Sequence, residues 1–89
     1  MSDPMAMYQD EATRRAFIGK AKAVYQQLQG TLEPAHNGEI VVIEPESGEH
    51  FLGKTLGQAN NAAFAKFPDS WVYFVRIGEA EAAVPLKTW

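Results

Sequence analysis

Between His36 and Gly78 the chain runs HNGEIVVIEPESGEHFLGKTLGQANNAAFAKFPDSWVYFVRIG, and nearly every joint carries a local structural signal. Glu39 to Glu44 (EIVVIE) is rich in β-branched residues, which suit a strand. Pro45-Glu46-Ser47-Gly48 predicts a tight turn. Proline presets φ for a type I turn, and glycine supplies the positive φ needed to re-enter a strand. Glu49 to Gly53 then returns antiparallel. Thr55-Leu56-Gly57-Gln58 matches a capping box, with a hydroxyl at the N-cap and Gln three residues on. The helix it opens runs to Phe67 and stops at Pro68, which disfavours helical geometry in the preceding residue. Leu56, Ala59, Ala63 and Phe67 fall on one helical face, with Phe64 beside them. Trp71 to Ile77 (WVYFVRI) is the strongest strand. Trp71, Tyr73, Val75 and Ile77 share one of its faces, and Val72, Phe74 and Arg76 the other.

Upstream, the chain from about Tyr8 to Gln29 is rich in good helix formers. Phe17, Ala21, Val24 and Leu28 recur at spacings of four, three and four and make an apolar stripe, widened by Ile18 and Tyr25. Asp10 is the expected N-cap and Gly30 the expected left-handed C-cap. Thr31 to Gly38 is a connector broken by Pro34 and Asn37-Gly38. The tail EAEAAVPLKTW can add a short edge strand near Ala82–Leu86, since Pro85 is tolerated at an edge.

These elements predict an α+β fold: an N-terminal helix, then a ββαβ unit whose small, mainly antiparallel sheet packs on a helix. A right-handed crossover that docks the last strand beside the first gives three strands in the order 2-1-3, with the tail as a candidate fourth. One sheet face takes the second helix. The opposite face is left to solvent, to the N-terminal helix or to another chain. Eighty-nine residues make one domain: 1–30 a helix, 36–78 the core, 79–89 a tail.

The hydrophobic fraction of 46% is that of a folded chain, and a chain without cysteine has no disulfide framework, thiol nucleophile or thiolate metal site. The opening MSDPMAMYQDEATRR has no apolar run of secretory type, and nowhere do about 18 apolar residues run together. The expectation is a soluble cytoplasmic protein that meets no membrane. The net charge of −3 is uneven: residues 1–30 balance at +1 and the remainder at −4. Nucleic-acid binders show a dense basic footprint, which Arg14, Arg15, Lys20 and Lys22 alone do not supply, so no nucleic-acid partner is expected.

Catalytic signatures are sparse. The string from Gly48 to Thr55 satisfies GxxxxGK[ST] by letter, yet its EHFL interior alternates as a strand rather than forming a small-residue phosphate loop. His36 and His50 stand near Glu39, Glu44, Glu46 and Glu49, but a metal needs three or four convergent ligands, and these glutamates rim a hairpin tip. No catalytic residue, metal site or cofactor is predicted. Arg76, on the face of Val72 and Phe74, is the odd residue: an anchor for a partner carboxylate, or an arginine whose stem packs while its head reaches water or a hairpin glutamate. With it, Phe17, Val24 and Leu28 are the candidate partner-contact residues.

The run from Leu32 to Gly78 resembles a set of small bacterial proteins of unknown function. Their shared pattern is met here by Gly38, Val41, Ile43, Ser47-Gly48, Gly53, Phe67-Pro68 and Arg76-Ile77-Gly78. That set is similar to small accessory proteins encoded near retropepsin-like proteases or in toxin–antitoxin-like gene pairs. The resemblance implies no activity, ligand or catalytic residue. The functional expectation is a non-enzymatic interaction or accessory module that binds another protein or itself as a homodimer, in one case as partner in a two-gene operon. The alternative is a small-molecule or metal-binding domain, or a minor enzyme, using Arg76 and the hairpin carboxylates.

Overall fold

The computed structural model describes residues 9–89. Helix α1 spans Glu11–Leu32; strands β1 (Ile40–Glu44) and β2 (Glu49–Gly53) form a hairpin; helix α2 spans Leu56–Lys66; strands β3 (Trp71–Arg76) and β4 (Glu79–Lys87) form a second hairpin. The strands lie in the order β2-β1-β3-β4 with every neighbouring pair antiparallel. The α+β class and the 2-1-3 core thus hold, but the sheet has four strands rather than three. Among the described residues, no helix is long and apolar enough to cross a membrane.

Local chemistry explains most boundaries. Asp10 caps α1 by accepting from Ala12 N (3.0 Å) and Thr13 N (3.3 Å). The predicted helix start at Tyr8 lies outside the described residues. At the other end α1 passes through Gly30 and closes at Glu33, whose N–H donates to Gln29 O at 2.8 Å. The extra turn buries Leu32 almost completely. That burial is worth about 1.5–3 kcal/mol against a glycine penalty of about 1 kcal/mol, which is why Gly30 does not end the helix. Pro34 then stops it, after a cis peptide at Glu33–Pro34. In the first hairpin Gly48 takes φ +77° as the turn requires, and Glu44 accepts from Glu46 N (3.0 Å) and Ser47 N (2.8 Å). Thr55 caps α2 by accepting from Gln58 N at 3.2 Å, while the Gln58 amide oxygen accepts from Lys54 N at 3.0 Å.

The tail pairs along almost its whole length because Ile77-Gly78 makes a two-residue turn, with Gly78 at φ +89°, that sets Arg76 opposite Glu79. Three residues of β4 intervene before Ala83 meets Val75, and the ladder then continues to Trp71–Lys87. Thr88 N donates to Ser70 O at 2.9 Å. By the alternation of an antiparallel ladder, Leu86 and Val84 also turn their main-chain groups inward, while Pro85, opposite Tyr73, turns its nitrogen outward, where no N–H is missed.

The two helices sit on opposite faces of the sheet. Under α1, Ala21, Tyr25 and Leu32 pack on Val41, Ile43, Tyr73, Val75 and Ile77. Under α2, Ala59 and Ala63 pack on Ile40, Val42, Val72 and Phe74, with Phe51 and Leu86 at the margin. Strand β1 is therefore buried on both sides, which accounts for its unbroken IVVI run. Of the three covers open to the second face, α1 is the one present.

The α2 contact is unusually close. A methyl group on Gly53 would lie 2.3 Å from Ala59 N and 2.8 Å from Ala59 Cα. Only glycine in β2 and alanine in α2 permit this approach. It rolls the helix so that Ala59, Asn60 and Ala63 face inward, leaving Leu56, placed on the buried face by its spacing, 41% exposed.

Candidate docking surface

The residues singled out from sequence do not converge. Arg76 is exposed, donating from Nη1 to Gly38 O at 3.4 Å, with Nε 3.9 Å from Glu79 Oε2. It straps the β3–β4 turn to the connector before β1. It reaches no hairpin glutamate, because it stands opposite Ile40 while Glu44 pairs with Glu49 at the other end of β1. Four residues of strand separate these ends, roughly 13 Å. The hairpin carboxylates are occupied there: Glu44 holds the turn, Glu46 meets Lys20 Nζ at 3.1 Å, and Glu49 pairs with Lys66 of α2.

His36 Nδ1 lies 3.0 Å from Glu39 Oε2, whereas His50 is exposed on β2 opposite Ile43. Among the described residues no three His, Cys, Asp or Glu side chains gather as metal ligands. The phosphate-loop lookalike is strand β2 for residues 49–53, with its backbone paired to β1. Phe17, Val24 and Leu28 flank the α1 cluster half-buried, so much of their apolar surface is already used in packing.

A different site is built around Asn60. This side chain is fully buried on α2 and binds the backbone of Trp89 twice: Nδ2 donates to Trp89 O at 2.7 Å, and Oδ1 accepts from Trp89 N at 3.1 Å. Such a pairing satisfies every polar group that Asn60 would otherwise bury unmatched. Thr88, also buried, donates from Oγ1 to Phe67 O (2.7 Å) and accepts from Ser70 N (3.0 Å). The tail is thus stitched to α2 and to the turn after it.

The stitching places an indole on the sheet. The Trp89 ring lies 5.8 Å from that of Phe74, yet the residue is 58% exposed. Leu56 stands one turn before Asn60 and Phe64 one turn after it, and both are exposed. Val84, paired with Phe74 on the same face, is exposed as well. Helix α2 lies mainly over β2 and β1, with Ala59 and Ala63 reaching Val72 and Phe74 of β3, so these side chains stand at its β4-facing margin. Leu56, Phe64, Val84 and Trp89 therefore form an apolar ridge around a polar pin. The available signal was an asparagine in the middle of an alanine-rich helical face, which needs a partner if it turns inward.

Compared with known proteins, the chain matches no family model, no curated protein and no solved structure.

Proposed function

We propose that this chain is a non-enzymatic interaction module of the bacterial cytoplasm, and that it docks a second protein on the Leu56–Phe64–Val84–Trp89 ridge. The observation that supports this reading is the gathering of these exposed apolar side chains on one face. Scattered exposed hydrophobics are ordinary, whereas exposed apolar side chains grouped around an exposed tryptophan have the composition of interface hot spots. Trp89 is held by its backbone, so its ring is presented at little further entropic cost on binding. The occupant is a protein with a complementary apolar surface, either a second copy or the product of a neighbouring gene.

The test is light scattering after size exclusion across a range of concentrations, together with capture of the neighbouring gene's product. Wild type would be compared with Phe64→Ser and Trp89→Ser. Association lost in both variants, with each still folded by circular dichroism, supports the ridge. A strict monomer that captures nothing, or association indifferent to both substitutions, sinks it. The arrangement gives no support to a ligand site built on Arg76 and the hairpin carboxylates, since these groups lie at opposite ends of β1.

A further inference from the structure

On the α1 side of the sheet, away from the ridge, a groove of about 350 Å³ opens between the helix and the β3–β4 hairpin. That volume is in the range of small-molecule sites. From α1 it is lined by Lys22, Tyr25, Gln26 and Gln29, at i, i+3, i+4 and i+7 on one helical face. Tyr73 and Val75 of β3 and Glu81 of β4 complete the lining.

Two features set it apart from an ordinary crease. The first is Tyr73, a residue only 5% exposed whose hydroxyl makes no hydrogen bond with any described residue and stays open at the groove. Its neighbour Tyr25 shows the contrast, donating to Glu33 Oε2 at 2.5 Å and accepting from Gly78 N at 3.3 Å. A phenol that lines a groove without a protein partner is a donor left for whatever enters it. Burial also raises the Tyr73 pKa above its usual value, so the phenol keeps its proton and remains a donor. The second feature is charge. Lys22 and Glu81 line the same groove from α1 and β4, carry opposite signs, and have no ion-pair partner among the described residues.

We propose that this groove binds a small zwitterion with an apolar body, the chemistry of a free aromatic or branched aliphatic α-amino acid. The carboxylate lies toward Lys22 and accepts from the Tyr73 hydroxyl, the ammonium lies toward Glu81, and the apolar body lies over the Tyr73 ring and Val75. The sign pattern selects this class: a plain anion would meet Glu81, a plain cation would meet Lys22, and a neutral molecule would leave both charges unanswered. The site is on the opposite face from the ridge, so it stands or falls independently of the protein-docking proposal.

The experiment is a titration of the ¹⁵N-labelled chain with L-phenylalanine, followed by N-acetyl-L-phenylalanine, which lacks the ammonium, and phenethylamine, which lacks the carboxylate. Saturable amide shifts are expected at Lys22, Tyr25, Val75 and Glu81, with a dissociation constant on the order of 1 mM. Each blocked analogue should bind about 2–5-fold more weakly, as for exposed charge pairs. Tyr73→Phe should weaken binding by roughly 2–10-fold. It should leave the melting temperature unchanged, because the fold does not use that hydroxyl. No saturation up to ~10 mM, equal affinity for the blocked analogues, or full affinity in Tyr73→Phe would each overturn the proposal.

Discussion

Replacing Gly53 by alanine sets a methyl group against main-chain atoms rather than against a side chain that can swing aside. The new carbon would lie 2.3 Å from Ala59 N, 2.8 Å from Ala59 Cα and 2.9 Å from Gln58 C. To restore ordinary contact α2 must retreat by roughly 1 Å, and a gap of that size forfeits a quarter to a half of each dispersion contact it opens. The contacts at stake are those of Ala59 and Ala63 with Ile40, Val42, Val72 and Phe74. Overpacking costs about 1–3 kcal/mol, and backbone neighbours place Gly53→Ala at the upper end. Restricting the unfolded chain returns about 0.4–1 kcal/mol. The net expectation is a loss of about 2–3 kcal/mol, which lowers the melting temperature by about 8–24 °C in a domain of this size. Urea unfolding followed by far-ultraviolet circular dichroism measures it. Gly57→Ala is the internal control: nothing lies within 4 Å of its new methyl group, so it should gain up to about 1 kcal/mol from helix propensity. Should Gly53→Ala unfold within about 0.5 kcal/mol of wild type, a scatter typical of neutral substitutions, the close approach of α2 to β2 is not what holds the helix.

Asn60→Ala removes both hydrogen bonds to the Trp89 backbone. It should cost about 1–3 kcal/mol and speed amide exchange in β4 before the rest of the sheet; uniform exchange across the sheet would contradict the stitching. Asp69 sits at φ +51°, the left-handed region that disfavours a β-carbon. Asp69→Gly should therefore gain up to about 1 kcal/mol, its exposed contact with Lys87 at 3.5 Å counting for little. A measured loss of stability would show that the ion pair matters more than the backbone. Burial raises the pKa of both Tyr25 and Tyr73 above 10.0, with the bond to Glu33 adding to the effect at Tyr25. The unfolded phenols then lose their protons first. Stability should be full below pH 10 and fall as pH rises beyond it, and chemical denaturation across that interval should show no such decline in a Tyr25→Phe, Tyr73→Phe double variant.

Local signals made the core readable in the sequence. Each boundary from Ile40 to Arg76 rests on a neighbour within four residues: the Pro45–Gly48 turn, the Thr55 and Gln58 cap, the stop at Pro68. Three features depended on distant partners instead. Gly30 reads as a helix end until Leu32 finds its place against β1 and β3. The tail reads as a weak edge because its alanines have little strand preference of their own, and its pairing comes from the Ile77-Gly78 turn and the Thr88–Ser70 bonds. Leu56 reads as core by spacing, yet the roll of α2 is set by Gly53, in a different element. The same limit applies to the candidate site. Arg76 stood out for its position within one strand, whereas the Asn60 pin joins residues 29 apart in sequence.

Pro85 has an effect beyond its own strand. It removes an N–H from the outward row of β4, and the irregularity after Glu79 further distorts that edge. Strand β2 carries no proline, so the described sheet has one blunted border and one without that block. Endless edge-to-edge growth needs two open borders on every molecule. If two copies met through β2, each would use its proline-free border and offer the blunted one outward. Strand pairing in this protein would then stop at a pair, so the proline acts as a chain terminator for assembly.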